Sequence, residues 1–183
     1  GKMLKELGAT VENREVPVIA EAAQAKEIEA LMAAEAWRNT GKILETWGGD
    51  RDWLTDWIVD GKDIDHSLIE ELRSVQKRLQ SKLSQDESEI DAFLAPTVRA
   101  TTRPIEAVDA NFMEHMGNYL SNTIVGNCLN LCAMSLPSDL DSEGRPIAAM
   151  IMAPAFADDL LLSIGIALQA SAMQPGNLPA TPA

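Results

Sequence analysis

Most of the residue types that carry chemistry are scarce in this chain. Only two histidines and two cysteines occur in 183 residues, and aromatic residues make up 4%. With so few rings, Leu, Ile, Val, Ala and Met must do most of the packing. Cys128 and Cys132 lie four apart in an apolar segment without a nearby histidine, so they cannot close a four-ligand zinc site. If the segment is helical they stack on one face as small buried hydrophobes, as free thiols do in a reducing compartment. His66 falls at the expected start of a helix and reads as a surface residue. His115, in "MEHMGN", has no Ser, Cys or carboxylate at a recognisable spacing and reads as structural. No apolar run approaches the ~20 residues that cross a bilayer. The stretch "GKMLKELGATVENREVP" lacks the apolar core of a signal peptide. Together these point to a cytoplasmic protein that does not enter a membrane.

Basic residues are also few. Fifteen stand against 28 acidic ones, a net charge of −13, and they are scattered along the chain. Such a surface repels phosphate backbones, which argues against direct nucleic-acid binding, and it favours solubility. No G-x-S-x-G elbow, P-loop or Gly-rich dinucleotide fingerprint is present. No metal or organic cofactor is implied. The paired carboxylates Glu70–Glu71 and Asp86–Glu87 lie in polar stretches and read as solvated. Asp158–Asp159 sits where a helix dipole welcomes negative charge.

What is present is an ordinary globular composition, 46% hydrophobic and 23% charged, long enough for one domain with a real core. "MLKEL" before Gly8 predicts a short helix, and "ATVENREV" a strand ended by Pro17. From Glu21 to Trp47 the period is helical, with Ala25, Ile28, Met32, Ala36, Ile43, Leu44 and Trp47 on one stripe; Gly41 weakens the middle, so two helices or one with a bend are expected. Trp53 and Trp57, framed by Gly48, Gly49 and Gly61, suit a small helix anchored by its rings. The clearest helix carries Leu68, Leu72, Val75, Leu79 and Leu83, with Asp65 or Ser67 as its cap. Beyond it, "DAFLAPT" is a short buried-strand candidate closed by Pro96, and "VRATTRPIEAV" is extended or irregular. "NFMEHMGNYLSNTIVGNCLNL" is apolar on one side and amide-rich on the other. "CAMSLP" and "IAAMIMAP" read as two strands, and "ADDLLLSIGIALQASAM" as an apolar closing helix. Residues 1–172 are expected to form a single α/β domain, and 173–183, with three prolines, a loosely held tail.

The order of these motifs resembles the amidase signature family over nearly the whole chain. "DAFLAPT" is similar to its Asp-x-x-x-x-Pro-Thr strand, and "NTIVGNCLNLCAMSLP" to its Thr-x-x-x-Asn segment with a Ser-x-Pro strand end. "EGRPIAAMIMAPAFADDLLLSIGIAL" resembles the Gly-Leu-Pro-x-Gly strand and the Leu-rich helix after it, and "LKELGATVENREVPV" a Leu-Gly-Ala-x-Val-Glu strand. The resemblance implies an α/β fold, the C-terminal portion of the amidase-signature fold, with a mixed sheet flanked by helices. It further implies hydrolysis of carbon–nitrogen amide bonds by a Ser–Ser–Lys triad. That triad belongs to the family's first half, and nothing in this chain resembles its Gly-Ser-Ser stretch or matches its lysine, so no catalytic residue is assigned here.

Asn122, Thr123, Asn127 and Cys128 are the candidate substrate-binding residues, because Asn side chains both donate and accept and can orient a substrate amide. The competing reading is that they satisfy backbone groups. Ser138-Asp139, Ala148 and Asn130 stand where the family commonly has glycine, and Arg145 where it has leucine. Partners implied are a small amide substrate and an N-terminal half that carries the triad. If that half supplies the central sheet, exposed strand edges favour homo-oligomers. The alternative is a stand-alone, non-catalytic remnant that serves as a binding module. A component of an amidotransferase acting on charged tRNA would share the same motifs.

Overall fold

The computed structural model describes residues 1–25 and 27–172; the proline-rich stretch 173–183 lies outside them. The chain divides into two compact units, one built from 1–17 and 87 onward, the other from 18–86. The second is thus contiguous, and the first is made of two stretches on either side of it.

Helix α1 (Lys2–Glu6) is short, and Gly8 at φ +92° turns the chain out of it. Only glycine adopts that conformation without strain. Residues 9–16 follow with no strand, contrary to the alternating pattern there. Alternation supplies a face but not a partner, and a strand without a ladder has no reason to persist. Pro17 is not a terminator. It opens helix α2 (Pro17–Gln24), where its fixed φ and missing N–H suit the first turn.

In the helical unit, α2 is followed by α3 (Ile28–Thr46), so the segment is two helices, divided before Ile28 and not at Gly41. Gly41 is buried inside α3, where a Cβ would lie 2.7 Å from the Trp37 indole folded over it. The stripe also rotates. Ile28, Leu31, Ala33 and Ala34 are buried, whereas Ile43 is 67% and Trp47 54% exposed. A long window averages two helices whose faces are not in phase.

Helix α4 (Trp53–Asp60) is capped by Asp52, whose carboxylate accepts from the Thr55 backbone N–H at 2.8 Å and from its hydroxyl at 2.7 Å. Its buried residue is Thr55, while Trp53 is 42% exposed, so the Trp pair does not anchor this helix as a unit. A single turn of 3₁₀ helix, Gly61–Asp63, then crosses the backbone of Ala33 so closely that only a hydrogen fits at Gly61. Helix α5 (His66–Asp86) buries Leu72, Leu79 and Leu83, as its period predicts, and leaves Leu68 40% exposed in the first turn. Asp65, rather than Ser67, is the cap. It accepts from the Ser67 backbone N–H at 2.7 Å and from the Ser67 hydroxyl.

The other unit resumes with Glu87. Far from solvated, Glu87 is buried and ion-paired to Arg14, joining the unit's two stretches of chain. Strand β1 (Phe93–Pro96) is half-buried in alternation rather than fully buried. The irregular passage ends sooner than expected, at Pro104: residues 105–108 open α6 (Ile105–Ala110), which α7 (Phe112–Leu129) follows. Asn130 ends α7 at φ +54°, the left-handed position that favours glycine and tolerates asparagine. Strands β2 (Cys132–Leu140) and β3 (Pro146–Ala153) form a hairpin, and α8 (Asp158–Ala172) closes the unit with Asp158 and Asp159 in its first turn.

The sheet is antiparallel in the order β1-β3-β2, so the middle strand comes last in the chain. Phe93, Met152 and Ala133 lie opposite one another, as do Leu94, Ile151 and Met134. Residues directly opposite share a face, so the two triplets point to opposite sides. Leu161 of α8 packs with Ile151 and Ala153, flanked by Cys132, Met134 and Leu136. On the other face Val125, Cys128 and Leu129 of α7 are buried, and a Cβ on Gly126 would lie 3.7 Å from the Met152 sulfur. The result is a helix–sheet–helix sandwich. β3 is covered on both sides and reads as a continuous apolar run, with Met150, Ile151, Met152 and Ala153 all buried.

Because Cys132 starts a strand while Cys128 is in α7, the two thiols do not stack on one helix face. The Cys132 Sγ donates to the carbonyl of Pro154 at 3.2 Å, and Cys128 is fully buried.

Candidate functional site

Helix α7 presents Asn122, Val125, Gly126 and Leu129 at the three- and four-residue spacings that form one stripe. Val125 and Leu129 fill the core, and Asn122 stands at the end of the stripe over the last residue of β1. Its Nδ2 donates to the Pro96 carbonyl at 2.7 Å. The following loop is tied down as well, since the Arg99 backbone N–H donates to the Asn118 carbonyl at 3.2 Å. Asn122 therefore belongs to a regular helix and is held at the sheet's edge, where its side chain satisfies a backbone carbonyl as the competing reading expects.

The other three candidates lie elsewhere on α7. Thr123, one position round the helix, donates its hydroxyl to the Leu120 carbonyl at 2.9 Å. Asn127, four residues on from Thr123, shares that flank and is exposed. Cys128 has no exposed surface, and burial pushes its thiol above the ordinary range, so it remains protonated near neutral pH. The structure brings Asn122 to the sheet, places Thr123 and Asn127 beside it, and puts Cys128 in the core.

Two hydroxyls next to Asn122 were not legible as a pair in the sequence. Thr97 follows β1, with its backbone N–H donating to the Ala148 carbonyl at 3.1 Å, and its Oγ1 lies 2.6 Å from the Ser135 Oγ of β2. Thr97 and Ser135 are 38 residues apart and meet only because β3 lies between their strands. The Ser-x-Pro and Pro-Thr strand ends were the available signal; their adjacency was not.

The hairpin that follows carries the replaced glycines. Among the described residues only Asn130 and Phe156 combine a side chain with positive φ, so Ser138, Asp139 and Ala148 take ordinary backbone conformations. A register shift between Pro137 and Asp139 accommodates Ser138, whose hydroxyl donates to the Ile147 carbonyl at 3.2 Å. At the turn, Asp141 accepts from the backbone N–H groups of Glu143 and Arg145, each at 2.9 Å, and from the Arg145 Nε at 2.6 Å. The Arg145 backbone bond foremost, with its guanidinium, holds the Asp141 carboxyl below the usual carboxylate range. Arg145 in place of leucine thus clamps the turn.

His115 stacks on Tyr119 with ring centroids 6.3 Å apart. Among the described residues no group of three His, Cys, Asp or Glu side chains is placed to hold a metal ion, and no helix is long and apolar enough to cross a membrane.

The model of the family described as Amidase matches residues 1–162. The chain belongs to the amidase family. A glutamyl-tRNA(Gln) amidotransferase subunit of Corynebacterium glutamicum (strain R) is 33% identical over 99 residues, which are 51% of this chain and 20% of that protein. The corresponding subunit of Mycobacterium tuberculosis (strain ATCC 25177 / H37Ra) is 37% identical over 86 residues, 45% of this chain and 17% of its own length. The chain therefore spans about a fifth of the curated relatives it matches. Kluyveromyces lactis allophanate hydrolase superposes with a TM-score of 0.80 at 20% identity, over 97% of this chain and 29% of the other. A 6-aminohexanoate cyclic dimer hydrolase gives 0.69 at 18% identity, over 93% and 39%. At these identities the structural likeness speaks to the fold, which is that of amidase-signature enzymes.

Proposed function

We propose that this amidase-family chain contributes one wall of the acyl pocket in a hydrolase of carbon–nitrogen amide bonds, the serine nucleophile and its Ser–Lys partners being supplied by residues outside it. The observation that carries this reading is the family match over residues 1–162, in which the sheet end beside α7 is polar. Acyl transfer needs an activated hydroxyl and oxyanion donors on a rigid scaffold, and it needs the substrate held against them. The α7–sheet–α8 sandwich supplies rigidity. Asn122, with Thr123 and Asn127 on the adjoining flank, supplies neutral amide and hydroxyl groups that suit a small polar substrate. Cys128 supports this wall from within.

Residues 1–172 are read as part of one amidase-type domain, into which the helical unit 18–86 is inserted along the chain. A cytoplasmic location is part of this proposal. The names of the curated relatives favour a second, finer reading, a component of an amidotransferase of the glutamyl-tRNA(Gln) kind. With a net charge of −13, contacts to tRNA would fall to other polypeptides in that case.

The test is ammonia release from small carboxamides by the complete reading frame that contains these residues, against the 183-residue chain alone. Turnover by the former, silence of the latter, and a raised KM in Asn122→Ala support the reading. Amide hydrolysis by the isolated chain would overturn the external nucleophile. A complete frame inert towards every carboxamide would favour a non-catalytic binding module.

A further inference from the structure

The side of β2 next to α7 is exposed beside the buried part of β3. Ala133, Ser135 and Pro137 point to the α7 side, yet all three are exposed, whereas Met150 and Met152 of neighbouring β3 are buried there. Helix α7 covers β3 and leaves a ledge of small side chains on β2. Ser135 stands on that ledge with its Oγ bonded to Thr97 Oγ1 across the middle strand, and Asn122 holds the residue just before Thr97.

We propose that the Thr97–Ser135 hydroxyl pair binds a neutral carboxamide or ureido group of the substrate, so that substrates carrying such a group beside the scissile amide are preferred. This deepens the amide-hydrolase reading and rests on it for its catalytic consequence. The argument is one of hydrogen-bond capacity. Each hydroxyl has one proton and two lone pairs, and the mutual bond consumes one proton. What remains is one outward donor, strengthened by the bond behind it, beside free acceptor lone pairs. An amide presents the complement, a carbonyl oxygen and N–H donors. No charged side chain belongs to this trio, so a carboxylate or ammonium finds no counter-charge in it. The bond is also unnecessary to the sheet, whose strands are already joined to β3 by their backbone ladders.

The test compares malonamide with butyramide, which matches it in length but ends in a methyl group. In the complete enzyme, wild type should prefer malonamide, and Ser135→Ala and Thr97→Val should each cut that preference about five- to tenfold through KM, the worth of one neutral hydrogen bond. Thr97→Ser should retain it, and melting temperatures should stay put, which a merely structural bond would not allow. Equal use of the two amides, or a preference that survives both variants, overturns the inference while leaving amide hydrolysis intact. If neither amide is turned over, the underlying reading fails instead. A direct readout remains in that case: malonamide titrated into the 183-residue chain should shift the backbone amide resonances of Thr97 and Ser135, and not in Ser135→Ala. Absence of those shifts in wild type rules out the pair as a binding site.

Discussion

Asn130 and Phe156 are the two described side chains that adopt left-handed backbone, and they do so in different settings. Asn130 caps α7, with its backbone N–H donating to the Asn127 carbonyl at 3.3 Å and that of Leu131 to Gly126 at 2.9 Å. Asparagine tolerates this region because its short polar side chain bonds locally, whereas a branched β-carbon collides with the carbonyl. Asn130→Val is therefore expected to lower stability by about 1–2 kcal/mol. Asn130→Gly, the residue that a left-handed C-terminal cap favours, should not lower it. Equilibrium urea unfolding of the three proteins checks both, and equal midpoints would show that the left-handed cap is not maintained. Phe156, 95% exposed in the turn before α8, bears the same strain with no packing visible to offset it. In the core, Leu79 has no exposed surface, whereas Leu68 on the same helix is 40% exposed. Leu79→Ala should cost about 2–5 kcal/mol, and Leu68→Ala should stay within about 1 kcal/mol. The same denaturation series decides whether burial, and not the shared apolar stripe, sets the cost.

At the scale of elements, the β2–β3 hairpin is closed by one carboxylate. Asp141 has a depressed pKa, so its contribution is present above the unfolded carboxylate range and is lost as pH falls through the lower, folded value. Protection of the Glu143 and Arg145 backbone amides, taken relative to their intrinsic exchange rates at each pH, should fall on acidification below that range, and Asp141→Asn should abolish most of this pH dependence. Protection that stays constant through acid would dismiss Asp141 as the clamp. The turn after α4 depends on the opposite property, an absent side chain. Gly61→Ala pushes a Cβ into the backbone of Ala33, which cannot rotate aside as a flexible side chain would. An overpacking cost of about 1–3 kcal/mol is expected, visible as a lowered unfolding midpoint. These elements also show what a pattern reveals. The α5 stripe of Leu72, Leu79 and Leu83 was legible because a single face meets a single core. The Glu21–Trp47 stripe was not, since two helices with different faces share that window.

The whole chain comprises a contiguous helical unit, 18–86, and a second unit assembled from both sides of it. Ile151 and Leu161 lie in the core of the latter and Leu79 in that of the former. Followed by hydrogen exchange, Ile151→Ala should first expose amides of 1–17 and 87–172, and Leu79→Ala those of 18–86. Uniform acceleration along the chain in both variants would mean that the two units open as one. The acidic surface belongs to this scale too. With 28 acidic residues against 15 basic ones, self-repulsion favours solubility and weakens as salt rises.

Local chemistry, by itself, determined much of this protein: the helices with one apolar face, the existence of strands β2 and β3 though not the run of β2 past Pro137, the acidic start of α8, and the motif order that marks the amidase family. Each is a property of neighbouring residues and can be read in a short window. Tertiary structure alone decided the rest. Residues 9–16 look like a strand but have no ladder, and Glu87 looks solvated but meets Arg14 from 73 residues away. Asn122 finds Pro96, and Thr97 finds Ser135, because β3 inserts between strands that precede it. Pairings of that kind depend on topology, and a sequence window contains only one of the two partners.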